Sequence, residues 1–122
     1  MIRKELFDLY ETYHNGKKRI ANKEMEQIKR KLTDMNLEPH INYIQVNIGY
    51  EENVFDNTNS VTVKYDFELD NISTIDYNTV NTIDNYLIRK YGKENIRIRD
   101  IRMHLDYTSF EYFIRLDKEE NI

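Results

Sequence analysis

The sequence predicts an α+β fold: an N-terminal helix followed by two αββ units, giving a four-stranded, mostly antiparallel sheet with helices packed on one face. Three observations predict it. Apolar residues recur at helical spacing in Met25, Ile28, Leu32 and Met35, and again in Val80, Ile83, Leu87 and Tyr91. Each stripe is followed by runs of strict apolar and polar alternation, the mark of a strand with one buried face. Between the last two runs, Tyr107, Thr108 and Ser109 leave room only for a tight turn. At 122 residues the chain fits one domain, with 1–16 as an accessory helix, 17–70 as the first αββ unit and 71–122 as the second.

In RKELFDLYETYH, Leu6, Tyr10 and Tyr13 stand at i, i+4 and i+7 beside Phe7, the spacing of one helical face, so a short helix is expected over 3–14. Asn15-Gly16 offers a turn that stops it, since glycine accepts positive φ. A second helix then carries the Met25 to Met35 stripe, with Glu26 and Arg30 paired on its wet side. Pro39 ends it, because the residue before a proline is pushed out of the α region.

Ile44, Val46, Ile48 and Tyr50 form the first alternating run, and Val61, Val63, Tyr65, Phe67 and Leu69 the second. Between them EENVFDNTNS reads as a polar linker projecting from the sheet. The next helix is expected to start at Ser73, capped reciprocally by Asp76 and stapled by Ile72 and Tyr77, and to stop at Gly92. The third run, in NIRIRDIRMHLDY, loses step. Ile96 and Ile98 share one parity and Ile101, Met103, Leu105 and Tyr107 the other, which reads as a bulge at Arg99 and Asp100. Phe110, Tyr112, Ile114 and Leu116 make the fourth strand, an edge that could pair with a second copy in a homodimer. The first and third strands match at an offset of 57, Ile41 with Ile98 and Ile44 with Ile101.

Composition narrows the function. No cysteine is present, which excludes disulfides and thiolate chemistry and fits a cytoplasmic protein, in the host-cell cytoplasm if phage-encoded. No apolar run reaches the length of a membrane span, and the charges in MIRKELFDLYE argue against a signal peptide. The net charge is −4, unevenly spread: 41–85 hold one Lys or Arg against eight Asp or Glu. No metal-ligand pair, calcium loop or phosphate-cradling glycine loop is present, so neither a metal site nor a cofactor is expected.

Two surfaces remain. Glu51, Glu52 and Asp56 in the linker and Asp66, Glu68 and Asp70 along the second strand would make an acidic patch suited to a basic protein surface. Asp76 and Asp84 follow on the helix. Arg97, Arg99, Arg102, His104, Asp106 and Arg115 would make a polar face on the last two strands. The first surface implies a non-enzymatic binding protein acting by stoichiometric contact, an inhibitor of a nuclease or other nucleic-acid-handling protein, as phage or mobile-element anti-defence proteins and immunity proteins are. The second implies nucleic-acid binding through arginines, or a small metal-independent ribonuclease using His104, Asp106 and Glu111. Stacked-base recognition is disfavoured, because Tyr50, Tyr65, Tyr107 and Tyr112 are in phase with the core and only Phe113 shares the polar face.

Overall fold

The computed structural model describes residues 2–53, 55, 58–71 and 75–118. The fold is α+β, with two long helices and one antiparallel sheet. The first helix, α1 (Ile2–Asp34), is a single rod of 33 residues, so the break expected at Asn15-Gly16 does not occur. A helical glycine costs about 1 kcal/mol relative to alanine, less than the hydrogen-bonded turns on either side restore. The N-terminal part of α1 consequently leaves the body, and Leu6, Phe7, Tyr10 and Tyr13 are more than half exposed.

The C-terminal part of α1 holds the core through Ala21, Ile28 and Leu32. It ends earlier than Pro39 would require: Asn36 turns left-handed (φ 61°) and the Leu37 amide donates to the Leu32 carbonyl at 2.8 Å, a closure that satisfies the last turn. A 3-10 turn, Glu38–His40, leads into β1 (Ile41–Asn53), which pairs with β2 (Thr58–Asp70). Both strands run through most of the expected linker. Glu51 stands opposite Ser60 and Glu52 opposite Asn59, polar pairs tolerated at the loop end of a hairpin.

The second helix, α2 (Tyr77–Tyr91), starts at Asp76, whose carboxylate accepts from the Thr79 amide at 2.9 Å. The cap therefore lies three residues beyond the expected one; Ile72 and Ser73 lie outside the described residues. Gly92 (φ 87°) stops α2 as expected, and a 3-10 turn, Lys93–Asn95, leads into β3 (Ile96–Met103) and β4 (Tyr107–Asp117).

The strand order is β1-β2-β4-β3, with every neighbouring pair antiparallel. Strand β4 is therefore central, not an edge, and the edges are β1 and β3. One face carries both helices: Val46, Val63, Tyr65, Phe67, Leu69, Phe110, Tyr112 and Ile114 meet Leu32 of α1 and Val80, Ile83 and Leu87 of α2. Phe67 and Phe110 stack at 4.5 Å between ring centroids at the centre of this layer. Beside them the Tyr65 hydroxyl joins the two helices, donating to Glu24 of α1 at 2.7 Å and lying 2.5 Å from the Tyr91 hydroxyl of α2. Lys90 closes the group with an ion pair to the same Glu24 carboxylate. Burial drives the Glu24 carboxyl upward, but hydrogen bonds from Lys90 and Tyr65 outweigh it and leave the group below its ordinary value.

Irregularities in β1 and β3 fall at Ile41/Tyr43 and Ile96/Ile98. The second is earlier than expected, at Arg97. The 3-10 turns (38 and 93), the strand starts (41 and 96) and the buried stripes (28 and 83, 32 and 87) then correspond at an offset of 55 rather than 57.

Candidate functional site

Helices cover one side of the sheet, and the other side, set by the period of two along each strand, carries the candidate residues. The register aligns Gln45, Asp66, Glu111 and Asp100 in one row across β1, β2, β4 and β3. Three carboxylates thus stand side by side on adjacent strands, an arrangement that like-charge repulsion disfavours. Lys64 lies 3.6 Å from Asp66, and Arg102 lies 3.0 Å from Asp100. Glu111, between them, has no ion-pair partner among the described residues. The next row adds Tyr43, Glu68, Ser109 and Arg102. The Tyr43 phenol is held above its ordinary value by partial burial and then by the carboxylates of Glu68 and Asp66, with a further contribution from Glu111.

Of the expected acidic patch, Asp66, Glu68 and Asp70 share this face. Glu51 has the same parity but stands opposite Ser60, six residues from Asp66 along β2 and roughly 20 Å away. Glu52 has the opposite parity, and Asp56 lies outside the described residues. Asp84 is not on the surface at all. It is buried under α2, where it receives the Tyr112 hydroxyl at 2.8 Å and both Nε and Nη2 of Arg99. Burial raises the Asp84 carboxyl, but the bonds from Arg99 and Tyr112 outweigh it and hold the group below its ordinary value. Glu111 and Asp100 complete the acidic row and were not assigned to it from sequence. Alternation around Phe110 and Tyr112 could have placed Glu111, but placing Asp100 needs the position of the bulge.

The polar face expected on the last strands does not assemble. The bulge at Arg97 puts Ile98, Asp100 and Arg102 on the open face and turns Arg99 to the helix side, where it pairs with Asp84. Strand β3 ends at Met103, so the turn falls at His104, Leu105 and Asp106, not at residues 107–109. His104 and Asp106 therefore leave the strand face, and Leu105, expected in the core, is almost fully exposed. The His104 ring stacks on Tyr107 at 4.3 Å. Asn71 fastens this turn: its side chain donates to the His104 carbonyl at 2.6 Å and accepts from the buried Thr108 hydroxyl at 2.7 Å. Arg115, aligned with Thr62, lies six residues along β4 from the Arg102 row and pairs with Asp117 at 3.2 Å. Arg97 is exposed at the bulge.

Tyrosine phases also differ. Tyr65 and Tyr112 are buried as expected, whereas Tyr50 is half exposed and Tyr107 faces outward opposite Asp70. Tyr43 and Tyr107 join Phe113 on the open face.

Among the described residues no group of three or more His, Cys, Asp or Glu is arranged to hold a metal ion, and no helix is long and apolar enough to cross a membrane. No protein-family model, curated protein or solved structure matches the chain.

Proposed function

We propose that the protein is a non-enzymatic binding protein that acts by stoichiometric contact, presenting the open face of its sheet to a basic surface on a nucleic-acid-handling protein and inhibiting it by occupying the site meant for nucleic acid. The observation that carries this reading is the row Asp66, Glu111 and Asp100, flanked by Glu68, on the face opposite the two described helices. Such a row opposes folding and so calls for a reason outside the fold. A complementary cationic partner relieves the repulsion, speeds encounter and fixes register. The cross-strand spacing of about 4.5–5.5 Å between adjacent side chains gives a ladder of negative charge on a rigid platform. Nucleic-acid binding through the arginine strand has less support, because Arg99, Arg102 and Arg115 each meet a carboxylate, whereas in the acidic row Asp66 and Asp100 meet a cation but Glu111 meets none among the described residues.

The test is capture from a cell lysate on the immobilised chain at physiological salt, followed by an inhibition assay of the captured protein. The expected result is a basic protein retained by the parent and lost when Asp66, Glu68 and Glu111 are all changed to Lys. Equal capture by the reversed variant removes the acidic face from the mechanism. Purification of the parent with bound nucleic acid, read from its absorbance ratio, favours the arginine reading instead.

A further inference from the structure

Among the described residues nothing buries the N-terminal part of α1. Every residue from 2 to 15 is exposed, and Ile2, Leu6, Leu9, Tyr13 and Ile20 are between 49% and 70% exposed. A helix of that length standing alone in water is marginal. Positions 2, 6, 9, 13, 16 and 20 alternate in steps of four and three, an apolar seam of period 3.5 broken only by Gly16. It is rotated by about one residue from the stripe of Ala21, Met25, Ile28 and Leu32 that holds α1 to the sheet. One helix thus carries two seams, and only one of them is covered.

We propose that the uncovered seam pairs antiparallel with the same seam of a second copy. Aligning residues whose numbers sum to 22 sets Ile2 against Ile20, Leu6 against Gly16 and Leu9 against Tyr13. The large Leu6 side chain then enters the space left by a glycine around which a Cβ would meet nothing within 4 Å. A parallel pairing would instead set Gly16 against Gly16 and leave a void. Charge leaves the sense to the packing, because one favourable and one like-charged contact balance on each side of the axis. The antiparallel alignment places Glu5 beside Arg19 on both sides of the two-fold axis, whereas in a parallel pair these positions lie about 21 Å apart along the helices. On the other flank Arg3 meets Lys17, a like-charged pair that limits affinity. Ten half-exposed side chains hiding on the order of 100 Å² each reach about 1,000 Å², enough for a specific contact of modest strength. This pairing is independent of the acidic face.

Sedimentation equilibrium of the intact chain is expected to show a concentration-dependent dimer. Leu9→Arg, at an exposed site remote from the core, should weaken it by at least about tenfold, and Lys17→Glu should tighten it. Because the chain lacks cysteine, single cysteines report orientation: a short bismaleimide should join Thr12→Cys chains, which meet near the two-fold axis, and leave Ile2→Cys chains unjoined. A monomer at millimolar concentration, or a dimer indifferent to Leu9→Arg, overturns the pairing. Cross-linking of Ile2→Cys in place of Thr12→Cys overturns its antiparallel sense.

Discussion

Asp66 and Glu111 stand directly opposite one another across β2 and β4, two carboxylates at the middle of the open sheet face. Cross-strand pairs of opposite charge contribute roughly 0.2–1 kcal/mol relative to neutral ones, and like charges oppose folding. Glu111→Lys, which faces Asp66 on one side and Asp100 on the other, should therefore raise the urea midpoint by an amount equivalent to about 0.5–1 kcal/mol. The same change should abolish capture of a basic partner. A gain in stability coupled to a loss of binding is the expected outcome for a row kept for function; a loss of both would assign the row to the fold.

The ion pair between Arg99 and Asp84 ties β3 to α2. The guanidinium is half exposed while the carboxylate is buried. Removing the guanidinium leaves the carboxylate under the helix with the Tyr112 hydroxyl as its hydrogen-bond donor and the more distant charge of Lys93. Because of the exposure, Arg99→Ala should cost about 1–2 kcal/mol rather than the roughly 3–5 kcal/mol of a fully buried pair. The folded Asp84 carboxyl lies below the ordinary aspartate value of 3.8, so its contribution is fully present above that pH and is lost as the pH falls through the folded value. Urea titrations at a series of pH values should show the gap between parent and Arg99→Ala closing below about pH 4.

Tyr65, Tyr91 and Tyr112 are pushed up far beyond the ordinary phenol value of 10.0, first by burial. Carboxylate acceptors add to the shift: Glu24 raises Tyr65 and Tyr91, and Asp84 raises Tyr112. A phenol that stays protonated in the folded state contributes stability below pH 10, and that stability is lost as the pH rises further. These three should therefore remain silent in a spectroscopic titration of the folded chain to about pH 11 and ionise once it is unfolded in urea. Tyr65→Phe should lower stability by about 1–2 kcal/mol, because it removes a hydrogen bond to the partly buried Glu24 carboxylate. It should also reduce the silent set from three to two.

Much of the fold was legible because burial has a period. Tyr65, Phe67 and Leu69, or Ile83 and Leu87, declare a face by spacing alone, and the structure places them there. What spacing could not show was pairing. The acidic row exists only once β2 is known to lie beside β4 and the bulge is fixed at Arg97, and neither follows from any one strand. Arg99 looked like a surface group because its partner, Asp84, is 15 residues away on a helix. His104 and Asp106 looked like strand residues because the alternation of Met103, Leu105 and Tyr107 runs on through the turn. The apolar face of Leu6, Phe7, Tyr10 and Tyr13 reads as helical from its spacing, yet it is exposed, since nothing in a single chain says whether an apolar stripe is covered by its own body.

The two glycines that looked like matching helix stops should separate under the same substitution. At Gly92 the backbone is left-handed (φ 87°), and an added Cβ would come within 2.6 Å of the Glu94 carboxylate. Gly92→Ala should therefore cost about 1 kcal/mol or more in urea unfolding. At Gly16 the backbone is helical and a Cβ meets nothing within 4 Å. Gly16→Ala should then strengthen the helix by about 0.5–1 kcal/mol locally, seen as greater ellipticity at 222 nm and slower amide exchange over residues 8–20. A turn at Asn15-Gly16 would give the opposite sign, because alanine there would resist positive φ and reduce helicity. The sign of this one substitution therefore decides whether α1 runs unbroken into the projecting segment.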